Sequence, residues 1–347
     1  MNSLQIIKPD DWHLHLRDGE ILKAVLPESE RHFARALIMP NLIPPVTTVK
    51  QASKYRESII KALTEKDSFQ PLMTLYLTED TKPSELKLGV QTGIITAVKL
   101  YPAGATTNSQ SGVKDYKKIY PILETMTDLG LPLCVHGEVN NDSIDIFDRE
   151  LVFIETVLDP IRQRFPKLKI IIEHITTKSA VDYVNEGGKN LGATITTHHL
   201  VINRNNILAG GIRPHYYCLP VAKREPDRLA LLETATSGKE NFFLGTDSAP
   251  HFDTQKESAC GCAGCFTATN SIPILTQIFE DNSALENLEN FVSKNGAIFY
   301  GLKQNKSYIT LKKGNSNNLP QNIICDKKNI TVFDPGFELN WEVQTTF

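Results

Sequence analysis

Apolar residues in this chain gather into short, often β-branched runs that recur through the first 250 residues, with longer amphipathic stretches between them. The runs are DWHLHL (11–16), ARALIMP (34–40), PLMTLYL (71–77), ITAVKLY (95–101), LPLCVHG (131–137), LKIIIEH (168–174), GATITTH (192–198) and NFFLGTD (241–247). Several are apolar at consecutive positions, as strands are when helices cover both faces of a sheet. Between them, VKQASKYRESIIKALTE, DYKKIYPILETMTDLG, DRELVFIETVLDPIRQRF and KREPDRLALLETATSG carry apolar residues at helical spacing. Alternation sustained through eight strands predicts an α/β fold closed into a parallel barrel, the (β/α)8 or TIM arrangement. A doubly wound open sheet is the alternative, and no GxGxxG follows the first run to support it. Beyond residue 270, PILTQIFEDN, LENLENFVSKNGAIFYG and a β-like tail predict closing helices and a small C-terminal extension. No internal repeat or low-complexity linker marks a boundary, so one domain is expected over 1–347.

Composition narrows the partners. The chain has 37 Lys and Arg against 40 Asp and Glu, a net charge of −3, and so no basic field for nucleic acid or an anionic membrane. No apolar run approaches the roughly 18 residues that cross a bilayer. The N-terminal MNSLQIIKPDD lacks the charged start and apolar core of a signal peptide, and a cytoplasmic location is expected. Six cysteines (Cys134, Cys218, Cys260, Cys262, Cys265 and Cys325) are then expected to stay reduced. The compact CGCAGC at 260–265 does not have the spacing of a zinc ribbon, and no second CxxC follows it. Its small residues suit a tight loop built for close backbone approach, with a metal role as the alternative.

The ionisable residues inside the apolar runs are the informative ones. His13 and His15 stand at i and i+2, a spacing that puts both side chains on one face of an extended strand. Lys99, His136, His174 and Asp247 fall late in the fourth, fifth, sixth and eighth runs. In a barrel of this kind the groups that do chemistry sit at the C-terminal ends of several strands. Each residue alone has an ordinary explanation as a rim histidine, a snorkelling lysine or a helix cap. Six at equivalent strand positions point to one mouth. His32 and His215 stand outside this pattern; His198 and His199 end the seventh run and are weaker candidates. His251, four residues after Asp247, is close enough to touch a ligand bound there.

Four histidines and an aspartate suit zinc or a similar divalent metal, with cobalt or manganese also accommodated. Lys99 is the odd member, because an ammonium repels a metal cation. Carbamylation by CO2 reverses its charge, and the resulting carboxylate can bridge two metals. A hydroxide between them forms at neutral pH through the metals' effect on its pKa. Asp247 could then take its proton and return it to a leaving nitrogen. Such a set attacks, or makes, an amide bond.

The motifs DWHLHLRDG, IMPNLIPPV, VKLYPAGATTNS, VHGE, EHIT, ITTHHL, GGIRPHYYCLPVAK, LGTDSAPH and CGCAGCF run through most of the chain. Together they resemble the dihydroorotases of the amidohydrolase superfamily, in the short bacterial class (class II) that starts directly with the barrel. HxH alone is weak, since the whole superfamily shares it; the combination is specific. The tail after about residue 300 is less distinctive. The resemblance implies that His13 and His15 bind one zinc, and His136 and His174 a second. Lys99, as N6-carboxylysine, would bridge the two, with Asp247 both ligand and general base. It implies that Arg17, Asn41 and His251 hold the substrate's α-carboxylate, and that Thr106 and Thr107 belong to a mobile loop closing over the carbamoyl aspartate. Leu219 and Ala263 would contact the ring through their backbones, which makes CGCAGC a substrate loop with no metal expected there. The implied reaction is the reversible cyclisation of N-carbamoyl-L-aspartate to L-dihydroorotate in pyrimidine biosynthesis, by a homodimer. A hydantoinase or allantoinase would use the same metals, but would not need the anion clamp of Arg17, Asn41 and His251.

Overall fold

The computed structural model describes residues 2–314 and 320–344. Each of the eight apolar runs forms a strand: β2 (Asp10–Leu14), β3 (Arg35–Ile38), β4 (Gln70–Tyr76), β5 (Ile95–Leu100), β6 (Leu133–His136), β7 (Ile170–Glu173), β8 (Leu191–Ile195) and β9 (Phe242–Leu244). They pair in chain order, every neighbour parallel. The ring closes between its first and last strands through side chains as well as backbone. Asp11 accepts hydrogen bonds from the Thr246 amide (2.9 Å) and hydroxyl (2.6 Å), and the Asp247 amide donates to the His13 carbonyl at 2.9 Å. This is the (β/α)8 barrel expected from the alternation.

Helices form where the pattern places them, at Val49–Ala62, Tyr120–Leu129, Glu225–Thr236 and across 149–164, the last with a π-helical turn at Ile154–Leu158. Local chemistry sets their ends. Thr48 accepts from the Gln51 amide while the Gln51 side chain accepts from the Thr48 amide, a reciprocal cap. Gly130 ends the fourth-strand crossover helix at φ 64°, a conformation that costs a side-chain-bearing residue more. Three more helices, Gly19–His32, Pro83–Thr92 and Lys178–Glu186, complete crossovers that the periodicity left unassigned. Among the described residues no helix is long and apolar enough to cross a membrane.

Most of the core lies between the barrel and its helices. A second cluster fills the barrel interior: Trp12, Leu37, Met39, Leu72, Ala97, Cys134, Ile171 and Phe243, packed against Ala297 and Phe299 of a C-terminal helix. The chain does not start directly with the barrel. A strand β1 (Ser3–Ile7) precedes it and pairs antiparallel with β10 (Tyr308–Lys313), which also pairs with β13 (Trp341–Gln344). A hairpin of β11 (Asn322–Cys325) and β12 (Lys328–Thr331) completes the extension.

Candidate active site

Strand parity decides which side chains reach the barrel mouth. Ala97, Cys134 and Ile171 face the interior, so Lys99, His136 and Glu173, two residues later on the same strands, face it one layer higher. The inward residue at the end of β7 is therefore Glu173, one short of the expected His174. His174 reaches the site by a backbone turn into the left-handed region (φ 44°), held by its amide's 2.7 Å bond to the Thr194 hydroxyl. Asp247 is turned the same way, at φ 47°. Just before it, a Cβ on Gly245 would come within 2.9 Å of the His13 Cβ and 2.8 Å of the Thr194 Cβ, so glycine is what lets β9 pass this close to β2. On β2 the pairing register shifts between Asp11 and Leu14, and the Nε2 atoms of His13 and His15 end 3.2 Å apart.

His13, His15, Arg17, Asn41, Thr106, Thr107, His136, His174, Leu219, Asp247 and Ala263 line one cleft. Lys99 is fully buried and ion-paired with Glu173 Oε2. His13 Nδ1 lies 2.8 Å from that same oxygen, which leaves its Nε2 for the cleft. There Asp247 Oδ1 stands 3.3 Å from His13 Nε2 and 3.0 Å from His15 Nε2. His136 Nε2 is 2.9 Å from Glu138 Oε2, and His174 Nδ1 has no partner among the described residues. The His174 ring sits 4.9 Å from those of both His13 and His136, centroid to centroid.

Electrostatics favour the ligating form of three of these imidazoles. Burial pushes His13, His15 and His174 down, so they are neutral near pH 7. Burial alone would raise Glu173, but His13 and Lys99 facing it outweigh that and hold the carboxyl at about 2. Two imidazole nitrogens and a carboxylate oxygen thus converge with lone pairs toward one point. A divalent cation satisfies that arrangement better than a proton does, and nearby carboxylates on two of the histidines fix their ring orientation. The donor set fits the metal expected from the sequence.

Two of the residues expected to hold the α-carboxylate are also together. Arg17 Nη2 is 3.1 Å from His251 Nε2, and Arg17 Nε donates to the Pro250 carbonyl at 3.3 Å. His251 Nε2 lies 3.0 Å from the Ala263 carbonyl. Burial, reinforced by the Arg17 guanidinium, pushes His251 down to about 2, so it adds no charge of its own. Asn41 donates to the Thr107 carbonyl (3.1 Å), Asn108 to the Asn41 carbonyl (3.0 Å) and the Thr107 hydroxyl to the Ala263 carbonyl (3.5 Å), a latch that holds residues 106–108 over the cleft.

Several residues fall elsewhere. His199 bonds to the Thr196 hydroxyl (2.8 Å) and the Pro220 carbonyl (2.9 Å), His32 to the Ala268 carbonyl and His215 to Glu257; none of these, nor His198, lines the cleft. The loop carrying CGCAGC wraps the buried Lys256 ammonium, which donates to the Tyr217, Cys262 and Gly264 carbonyls at 2.8 Å each. Glu138, Glu173 and Tyr101 are site residues that sequence reasoning passed over. The alternation from Ala97 and Ile171 carried the signal for the last two.

The family model for the amidohydrolase family matches residues 6–314. A dihydroorotase of Ruegeria sp. is 61% identical over 342 residues, 98% of this chain and 99% of the relative. Two crystal structures superpose over 99% of this chain with a TM-score of 0.91. One is a dihydroorotase from Campylobacter jejuni, 38% identical with 98% of its chain covered. The other, from Saccharomyces cerevisiae in complex with 5-fluoroorotic acid, is 35% identical with 99% covered.

Proposed function

The chain belongs to the amidohydrolase family and its chemistry is that of a dihydroorotase, and from that premise we propose how its own residues carry the reaction. The reaction is the reversible closure of N-carbamoyl-L-aspartate to L-dihydroorotate, with loss of water. Enzymes of this kind are metal-dependent. His13 and His15 would hold one divalent ion, His136 and His174 the other, with zinc the expected metal and cobalt or manganese its substitutes. Lys99, carboxylated, would lie between them, and Asp247 would complete the first site. When bound, the ions supply Lewis acidity toward the ring carbonyl and lower the pKa of water.

The remaining steps belong to side chains of this chain. Arg17, with Asn41 and His251, fixes the α-carboxylate by charge and hydrogen bonding, and so sets the ring's orientation. Leu219 and Ala263 present backbone groups to the ring amides, while Thr106 and Thr107 close the cleft against bulk water. Asp247 moves the proton: in ring opening it accepts one from the attacking water and delivers it to the departing nitrogen as the C–N bond breaks. Carboxylation of Lys99 consumes CO2 and, starting from the ammonium now paired with Glu173, releases two protons and leaves a negative charge where a positive one stood. The same reading places the enzyme in the cytoplasm as a homodimer.

The observation that carries this proposal is the convergence of His13, His15 and Asp247 on one point, beside the Arg17–His251 pair. Ring opening of L-dihydroorotate, followed by loss of ultraviolet absorbance, tests it. Activity in the wild type, lost in Lys99→Ala and partly restored by short carboxylic acids with zinc, is the expected result. A metal-replete wild type that leaves dihydroorotate intact sinks the proposal, and a fully active Lys99→Ala removes the bridge.

A further inference from the structure

Outside the cleft, three buried donors face one another with little else to do. His198 lies in the short helix Thr197–Val201 after β8, Cys218 immediately precedes Leu219, and Cys265 follows Gly264. One ring nitrogen of His198 and the two sulfurs all lie within 4.8 Å of each other. The residues are 0%, 1% and 1% exposed, and neither ring nitrogen of His198 has a hydrogen-bond partner among the described residues. Buried imidazoles are rarely left with both nitrogens idle, because each unsatisfied group keeps its desolvation penalty. The thiols make only long contacts: Cys218 Sγ is 3.4 Å from the Pro220 carbonyl and 3.5 Å from His199 Nε2, and Cys265 Sγ is 3.5 Å from the His215 carbonyl.

We propose that His198, Cys218 and Cys265 bind one thiophilic divalent cation of the zinc class, separate from the ions of the cleft. One imidazole and two thiolates form a donor set that such ions take readily. Burial, with His199 next to it, keeps the His198 ring neutral and able to ligate. Binding exchanges two thiol protons for the cation, whose charge must overcome the Cys265 hydrogen bond and the burial that otherwise push the Cys218 thiol up. Only the last cysteine of CGCAGC takes part; its partners are distant in sequence, so the spacing within 260–265 held no trace of the set.

The position gives the cation a task. Cys218 and Cys265 lie on the two segments whose Leu219 and Ala263 line the cleft. These segments already touch through the Gly264 amide, which donates to the Tyr217 carbonyl at 2.9 Å. A cation across the sulfurs fixes their separation, and with it the shape of the ring pocket. The inference holds or fails independently of the chemistry assigned to the cleft.

Full-length protein produced in cobalt-supplemented medium provides the test. Thiolate-to-cobalt charge transfer gives a near-ultraviolet band that the nitrogen and oxygen donors of the cleft cannot produce. The expected result is that band in the wild type, with one more cobalt per chain than the cleft takes up. Both should disappear in Cys218→Ser and in Cys265→Ser, the band should shift or weaken in His198→Gln, and both should persist in the Cys260→Ser, Cys262→Ser double variant. No band in a wild type whose cleft holds cobalt overturns the proposal without recourse to any variant. A band that survives Cys218→Ser, or one abolished in the double variant, overturns it equally.

Discussion

His32 shows how one buried side chain ties stability to pH. Its Nδ1 lies 3.0 Å from the Ala268 carbonyl, and burial pushes it down from 6.5 to about 4. The unfolded chain takes up a proton near pH 6.5 and the folded chain only near 4. Between those values the unfolded state binds more protons, so stability falls as the pH drops through that window. The full effect is on the order of 3 kcal/mol. In urea titrations across the window, His32→Asn should lose less stability on acidification than the wild type; parallel pH profiles would rule this out. Residue type also explains what was legible at this scale. Histidines and a lysine inside apolar runs stand out because burial there needs a reason. Glu138 and Glu173 did not stand out, because a carboxylate beside a histidine at a strand end reads as the beginning of a polar loop. Their purpose appears only when the rings they orient are in place.

At the scale of elements, parallel strands covered on both faces announce themselves as continuous apolar runs, and all eight were visible. Strand β1 was not, because SLQII owes its conformation to a partner some three hundred residues later in the chain. His174 belongs to the same lesson. It was correctly placed at a strand end, yet a backbone turn, not strand alternation, aims it. That turn is anchored by Glu150 at the start of a neighbouring helix. Its carboxylate accepts the amide (2.9 Å) and hydroxyl (2.7 Å) of Thr176, and the amide (2.9 Å) and hydroxyl (2.6 Å) of Thr177. Thr177 in turn caps the next helix by accepting from the Ala180 amide at 3.1 Å. Glu150→Gln keeps the volume but sets an NH2 group against donors, leaving buried hydrogens unpaired. We expect a loss of roughly 2–5 kcal/mol in chemical denaturation, with weaker metal retention in the cleft because His174 is two residues upstream. A variant within about 1 kcal/mol of wild type would show that the turn stands without Glu150.

The whole molecule is a barrel with chemistry at one end and a plug at the other, and the two ends share strand β2. Trp12, one residue before His13, is fully buried in the interior cluster, stacked on Tyr300 with centroids 4.4 Å apart and planes 8° from parallel. Tyr300 follows the helix Asn295–Phe299, and Gly296 in that helix lies so close to the indole that a methyl group there would overlap it. Gly296→Ala therefore forces either the helix outward or Trp12 upward, and a packed interior transmits the second displacement along β2 to His13. Overpacking of this kind costs roughly 1–3 kcal/mol. The thermal midpoint should fall, the fluorescence of Trp12 should change, and metal should leave the cleft more readily although no ligand has been altered. A lower midpoint with unchanged metal release would mean that the helix yields and the strand does not. The extension would then stabilise the barrel without positioning its site. Loss of both together would make the C-terminal helix part of the active-site scaffold, at the far end of the barrel from the reaction.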